Sequence, residues 1–557
     1  MCRNEIISED YRDFIVGGAD EFSPEECGQD INEFYRIIYK PANEADPIAF
    51  DRFDYYSIPK CFALLDMAAM QQSGILTVQN YPNLELSGSG VMIGFVDTGI
   101  DYQNNLFRNL DGSTRVESIW DQTIQDGLPP EGFGYGTEYR KEVIDEALRS
   151  EKPQNIVSSR DDVGHGTFLA SLAAGGADTE AQFVGAAPES KLVVVKLKPA
   201  KQYLKKFYAI KDDALCYQEN DIMLGIDYLH KKAEELGLPL VICLALGTNM
   251  GSHSGSSPLA GILDFYGNLP NRAVVVGAGN EANQRHHYLG ENITAGESTQ
   301  VEVRVEREMN GFYMELWSDA LDLFEVSVTS PSGENTYQFP IRNRSTQRYT
   351  FVLERTMLTV DYKVFVEGLN AELIAFRMEN PTPGIWRFQV EPVQTVSGKF
   401  HMWLPITEFL EGEVYFLTSN PDYTITEPGN FLSGITAGFY NGNDNSVAIP
   451  SGRGYTRNER VKPDFVAPGV NVKGAIGQMR YASRSGSSIA TAIVSGAAAL
   501  MMEWVVYRLQ DSRIDSTQIR NLLVLGTEKR PGEQYPNREW GYGTLDVYHT
   551  FEVISQI

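Results

Sequence analysis

Val91-Met92-Ile93-Gly94-Phe95-Val96-Asp97-Thr98-Gly99 is an apolar run that ends in a carboxylate and a glycine turn. A β-branched and aromatic run without polar alternation reads as a strand buried on both faces. Further runs of the same kind stand at Lys191-Leu192-Val193-Val194-Val195, Leu240-Val241-Ile242-Cys243-Leu244 and Ala273-Val274-Val275-Val276. Helix-like stretches separate them, for example Ile222 to Leu236. This alternation predicts an α/β fold with a doubly wound parallel sheet. Such sheets place their sites at the carboxyl edge of the strands, where Asp97 would stand.

From 292 to 410 the texture changes. Val301-Glu302-Val303-Arg304-Val305, Phe324-Glu325-Val326-Ser327-Val328 and Ile385-Trp386-Arg387-Phe388-Gln389-Val390 alternate apolar and polar residues between turns such as Pro331-Ser332-Gly333. That pattern predicts an antiparallel β-sandwich or jelly roll, inserted between 61–291 and 411–557, the two parts of the α/β domain. Residues 1–60 precede both, with strand-like Phe14-Ile15-Val16 and Phe34 to Tyr39, and are expected to be either a propeptide or a plain extension. A helical pattern is expected from about Phe62 to Gln72.

Among 557 residues, 42% are hydrophobic and 22% charged, which describes a globular protein of two or more domains. The formal charge of −27 argues against nucleic acid, because phosphate binding needs concentrated Lys and Arg. Five cysteines, odd in number and without a CxxC pair, imply no disulfide framework. The acidic N-terminus lacks the basic and apolar regions of a signal peptide, so a cytoplasmic location, with non-classical release as an option, is the expectation. The apolar stretch 489–507 contains Thr491, Ser495 and Glu503, which suits a buried helix and not a membrane span.

Three segments carry chemistry. Asp97 is followed by Thr98-Gly99, His165 lies in Gly164-His165-Gly166-Thr167, and Ser488 lies in Ser485-Gly486-Ser487-Ser488-Ile489-Ala490. A serine hydroxyl needs a base to accept its proton, and the base needs a carboxylate to fix its tautomer. The order Asp, His, Ser is one of the orders in which that constellation occurs. Position alone leaves Ser485 and Ser487 as competitors for Ser488, and a serine there would otherwise read as a helix cap. Asp-Thr-Gly could also be half of an aspartic protease, but only one copy is present and the His and Ser segments would be left unexplained. Asn280, in Val276-Gly277-Ala278-Gly279-Asn280, follows a buried strand and a glycine turn, where an amide could stabilise an oxyanion. Gly88-Ser89-Gly90 precedes its strand and so fails as a dinucleotide loop. No metal-ligand motif is visible and no cofactor is required. Calcium sites built from loop carbonyls leave little sequence trace, so calcium is neither implied nor excluded.

Together these segments resemble the subtilisin-like serine proteases, as do Pro463-Asp464-Phe465-Val466-Ala467-Pro468-Gly469 and Trp540-Gly541-Tyr542-Gly543. The resemblance implies that Asp97 orients the base, His165 is base and then acid, Ser488 is the nucleophile and Asn280 an oxyanion donor. It also aligns Ala245-Leu246-Gly247 with the edge that pairs with substrate backbone, and Gly277-Ala278-Gly279 with a wall of the S1 pocket. The Ser segment departs from the family's usual Gly-Thr-Ser-Met-Ala-Ser-Pro, with Ala492 in place of the proline. A jelly-roll insertion between Asn280 and Ser488 resembles clostridial germination-specific (Csp) subtilases, which implies a spore-associated location and a protein substrate such as the zymogen of a spore cortex-lytic enzyme. Paralogues of that group that signal without catalysis supply the rival reading.

Overall fold

Nine strands form the central sheet of the computed structural model, which describes residues 3–17, 27–64, 73–81, 84–477 and 480–556. In chain order they are β1 (Met92–Asp97), β2 (Val116–Asp121), β3 (Thr137–Arg140), β4 (Lys191–Lys196), β5 (Leu240–Leu244), β6 (Arg272–Gly277), β7 (Ile435–Asn441), β8 (Ser446–Val447) and β9 (Phe465–Pro468). Their spatial order is β8-β7-β6-β5-β1-β4-β2-β3, with β9 also paired to β7. All neighbours run parallel except the two edge pairs, β2 with β3 and β7 with β8.

The central strands bury both faces because alternate side chains enter different helical layers. Ile93 and Phe95 of β1, with Val241 and Cys243 of β5, meet the helices His165–Ala174 and Ser487–Glu503. Met92 and Val96, with Leu240, Ile242 and Leu244, meet the helices Glu219–Leu236 and Pro258–Gly267. At Gly94 a Cβ would stand 2.6 Å from a Leu229 methyl, so only glycine lets that helix lie so close. The apolar helix Ser487–Glu503 is buried along its whole length inside this core, where no polar face is needed.

Between β6 and β7 the chain forms two antiparallel sheets. One has six strands, running from His287–Gly290 to Phe400–Trp403, and the other four, including Thr299–Val305 and Val414–Phe416. Their inner faces share a core that holds Val301, Val303, Phe376, Trp386 and Phe388. The strand Gly311–Asp319 is buried on both sides. Phe312, Met314 and Leu316 enter the core between the sheets, while Tyr313 and Trp317 enter a second core. That second core also contains Phe14, Ile38, Phe50 and Tyr55 of the N-terminal segment and Leu204 and Tyr208 of the α/β part.

The N-terminal segment forms a small antiparallel sheet from Tyr11–Gly17, Gly28–Asp30 and Tyr35–Pro41. Ile15, Ile37 and Tyr39 pack into the core beneath the helices Glu219–Leu236 and Pro258–Gly267. Two sequence expectations are corrected here. Cys61–Leu64 is a strand and not the start of a helix, and the rest of that expected helix, 65–72, lies outside the described residues. The reason is tertiary: both edges of this segment are filled by backbone partners from the α/β part, which outweighs local helical preference. In addition, Cys27 is disulfide-bonded, whereas Cys61, Cys216 and Cys243 are free and buried. A single covalent pair leaves no spacing signature.

Candidate active site

Asp97 is the last residue of β1, at the carboxyl edge of the sheet, and β4 and β5 flank it. Its side chain is 2% exposed and accepts the Thr98 N–H at 2.7 Å. His165 opens the helix His165–Ala174 after Gly164, whose φ of 77° turns the chain into the helix. Its Nδ1 lies 2.8 and 2.9 Å from the two oxygens of Asp97. With Nδ1 donating to that carboxylate, the basic lone pair of the ring resides on Nε2. Close approach is possible because residue 166 is glycine: a Cβ there would be 2.2 Å from the Gly99 carbonyl oxygen.

A carboxylate that sequence reasoning passed over holds the two segments together. Asp161 accepts from Thr98 Oγ1 at 2.7 Å, Gly164 N–H at 2.8 Å, Thr167 N–H at 2.8 Å and Thr167 Oγ1 at 2.7 Å. Thr98 Oγ1 accepts in turn from the Gly166 N–H at 2.9 Å. The signal was available, since an acid just before a helix start satisfies first-turn amides.

Ser488 is in the first turn of the helix Ser487–Glu503, fully buried, and its hydroxyl makes no hydrogen bond among the described residues. This helix packs directly on the helix that begins with His165. At Gly496 a Cβ would meet Ala173 O at 2.9 Å, so the two helices touch backbone to backbone. Asn280 follows β6 and accepts the Ser487 N–H on its amide oxygen at 3.0 Å. With that oxygen engaged, its NH₂ is the end left to donate. Beside it are the first-turn amides of the Ser488 helix, which favour negative charge.

Gly277, Ala278 and Gly279 connect β6 to Asn280 and are held from behind. The Ala278 N–H donates to Ala437 O at 2.9 Å, Ala278 O accepts from Thr426 N–H at 3.1 Å, and Gly279 O accepts from Gly452 N–H at 2.9 Å. Gly279 has a φ of 91°, and a Cβ there would stand 2.6 Å from the Thr426 side chain. Leu246–Gly247 is a short strand beyond β5, and Ala245 is buried between the two.

That edge is occupied. Cys61–Leu64 lies antiparallel to it, with Leu64 opposite Leu246 and Ala63 opposite Gly247. On its other side Cys61 is opposite Gln218 and Phe62 opposite Tyr217. The protein's own chain is therefore the middle strand of a three-stranded sheet whose outer strands, Tyr217–Gln218 and Leu246–Gly247, come from the α/β part. Two edges so placed can grip an extended peptide by its backbone, while alternate side chains are read by pockets. Tyr217–Gln218 was not legible as a cleft edge in the sequence, being two residues long.

A carboxylate-oriented imidazole, a buried hydroxyl at a helix start and an amide with a directed NH₂ are the parts needed for acyl transfer. Over residues 88–304 and 411–543 the chain matches the subtilase family. The chain belongs to the subtilase family. Among solved structures, this subtilase is similar to the Clostridium perfringens CspB protease, with a TM-score of 0.77 and 31% identity over 87% of this chain and 98% of that one. Among curated relatives, the serine protease AprX of Bacillus subtilis is 34% identical over 150 residues, 23% of this chain and 32% of the relative. The membrane-bound transcription factor site-1 protease of Mus musculus is 29% identical over 138 residues, 24% of this chain and 12% of the relative. The chain thus spans a third or less of those two curated relatives.

Proposed function

We propose that this subtilase hydrolyses peptide bonds in protein substrates through an acyl-enzyme on Ser488. The observation that carries the reading is the Asp97–His165 pair at the carboxyl edge of the sheet, and beside it stands an extended segment, Cys61–Leu64, held on both edges by Leu246–Gly247 and Tyr217–Gln218. His165 Nε2 takes the Ser488 proton as Oγ attacks the carbonyl carbon, and Asp97 stabilises the imidazolium. Asn280 and the first-turn amides receive the oxyanion. The imidazolium then gives its proton to the leaving amine, and water reverses the sequence to free the acid.

The N-terminal segment acts as a propeptide. It packs on the α/β core and lays Cys61–Leu64 between the edges Leu246–Gly247 and Tyr217–Gln218, as a substrate strand would lie. The two sheets between β6 and β7 are read as a jelly-roll insertion. Likeness in layout to the CspB protease supports a protein zymogen as substrate, a spore cortex-lytic enzyme being the candidate the resemblance suggests. A scaffold reading, in which the sandwich is the working surface, draws its support from the size of that insertion alone. The test is labelling by a fluorophosphonate, with intact-mass analysis of the wild type beside Ser488→Ala. Labelling lost in the variant, and an N-terminal cut present only in the wild type, is the expected result. A folded wild type that stays whole and unlabelled overturns the reading.

A further inference from the structure

Glu315 lies on the sandwich strand Gly311–Asp319, on the face turned away from the core between the sheets, and is 1% exposed. A buried carboxylate is costly unless its lone pairs are filled, and an apolar residue would pack there at lower cost. Each oxygen takes two donors. Oε1 accepts from Tyr55 Oη and Tyr313 Oη, both at 2.7 Å. Oε2 accepts from Trp317 Nε1 and the Gly251 N–H, both at 2.9 Å. Two donors belong to the sandwich, one to the N-terminal segment and one to the α/β part.

The last two lead to the cleft by short paths. Gly251 lies four residues beyond Gly247, and between them Thr248 exchanges backbone hydrogen bonds with Glu427. Tyr55 lies six residues before Cys61. The Lys60 ammonium ties that stretch together, donating to Tyr55 O and Ile58 O at 2.7 Å each and standing 4.0 Å above the Tyr55 ring. The Lys60 backbone is fixed to Glu219 in both directions, at 3.1 and 2.9 Å. Neighbouring contacts follow the same division: Tyr56 Oη meets Ser252 Oγ at 3.1 Å, and Asp54 pairs with Arg344 and Lys363 of the sandwich at 3.1 and 3.4 Å.

We propose that Glu315 is a positioning residue through which the sandwich sets the substrate-pairing edge Leu246–Gly247 and, by the same carboxylate, clasps the N-terminal segment whose strand fills the cleft. The proposal rests on the protease reading for the meaning of that cleft. It makes the sandwich a retaining element for the propeptide, so that release of the cleft strand requires a donor of Glu315 to be given up.

Hydrogen exchange in the full chain carrying Ser488→Ala, which keeps the cleft strand uncut, tests this. Tyr55→Phe removes one donor and nothing else, and should speed exchange in Cys61–Leu64 about tenfold or more, the loss expected for one hydrogen bond to a buried charge. Glu315→Gln should speed exchange in both Cys61–Leu64 and Leu246–Gly251, with the helix His165–Ala174 unchanged. Wild-type exchange in both segments of Glu315→Gln, or a uniform rise across the chain, overturns the proposal. Should Glu315→Gln not fold, wild-type exchange of Cys61–Leu64 in Tyr55→Phe overturns it alone. With Ser488 restored, Tyr55→Phe should label faster with a fluorophosphonate than the unchanged chain. If the chain never labels, the protease reading fails, while the exchange result still decides the role of Glu315.

Discussion

Ala63 lies opposite Gly247 in an antiparallel pair, so the edge Leu246–Gly247 is filled by the protein's own chain. The contact is buried, with Ala63 1% exposed. Ala63→Asp would place an unpaired carboxylate there, which costs several kcal/mol and disfavours docking of the strand. Faster labelling of Ser488 than in the wild type is expected, measured as the rate of fluorophosphonate incorporation. An equal or slower rate in a folded variant would count against occupancy as the brake.

Asn280 holds the Ser487 N–H on its amide oxygen, so its NH₂ is directed before any substrate arrives. Asn280→Ala is expected to lower kcat by about 10²- to 10³-fold, the cost typical of one oxyanion donor. KM should change little, because the interaction is made in the transition state. Steady-state kinetics on a peptide substrate separate the two, and a rise in KM with kcat intact would reassign the residue to binding.

Asp97→Asn keeps the shape beside His165 but removes the charge that fixes its tautomer. Loss of about 10⁴ in kcat is expected from the behaviour of other triads. Circular dichroism should show an unchanged fold, since the amide can still hydrogen-bond at 2.8 Å.

Gly166→Ala tests the close approach of the two catalytic segments. Alanine favours the helix by about 1 kcal/mol relative to glycine. Against that, the new Cβ would lie 2.2 Å from Gly99 O and 3.2 Å from Asp97 Oδ1. Backbone cannot yield as a side-chain end can, so overpacking of about 1–3 kcal/mol wins. A lower unfolding midpoint together with a lower kcat is expected.

His253 stacks on Trp403 of the sandwich with ring centroids 4.0 Å apart, and His287 Nε2 meets His401 Nδ1 at 3.0 Å. Burial pushes His253 down to about 4, well below the value of about 6.5 it regains on unfolding. Between those values the unfolded chain binds more protons, so stability falls as pH is lowered. Buried Glu427 and Glu372, each pushed up to about 8 by burial, act with the opposite sign below that pH. Comparison with His253→Phe cancels them. From pH 6.5 to 5 the wild type should lose about 2 kcal/mol relative to the variant. Calorimetry at the two pH values checks this, and a constant difference would show that His253 is not held neutral.

The Asp97 and His165 segments, which the fold brings within hydrogen-bond reach, were legible because close approach needs fixed neighbours: a carboxylate at a strand end and glycines where backbone must come near. The parallel sheet was legible for a similar reason, since strands buried on both faces have no polar alternation. Strands that alternate, such as Thr299–Val305, revealed the two antiparallel sheets. Gly311–Asp319 has a polar interior residue, Glu315, whose burial no local pattern announces. Of the four donors to Asp161, three lie within six residues of it and follow a local capping pattern, whereas Thr98 is 63 residues away and only the fold brings it there.

By itself, then, the sequence determined the α/β core, the strand-end and helix-start positions of Asp97 and His165, and the break in texture near 292, because each depends on residues that are neighbours along the chain. Only the tertiary structure decided that Cys61–Leu64 is a strand and where it lies, and that Glu315 joins the sandwich, the N-terminal segment and Gly251 of the α/β part. The hydrogen bonds that settle both come from partners more than 60 positions away, or from backbone groups that are alike in every residue, and neither leaves a mark on local composition.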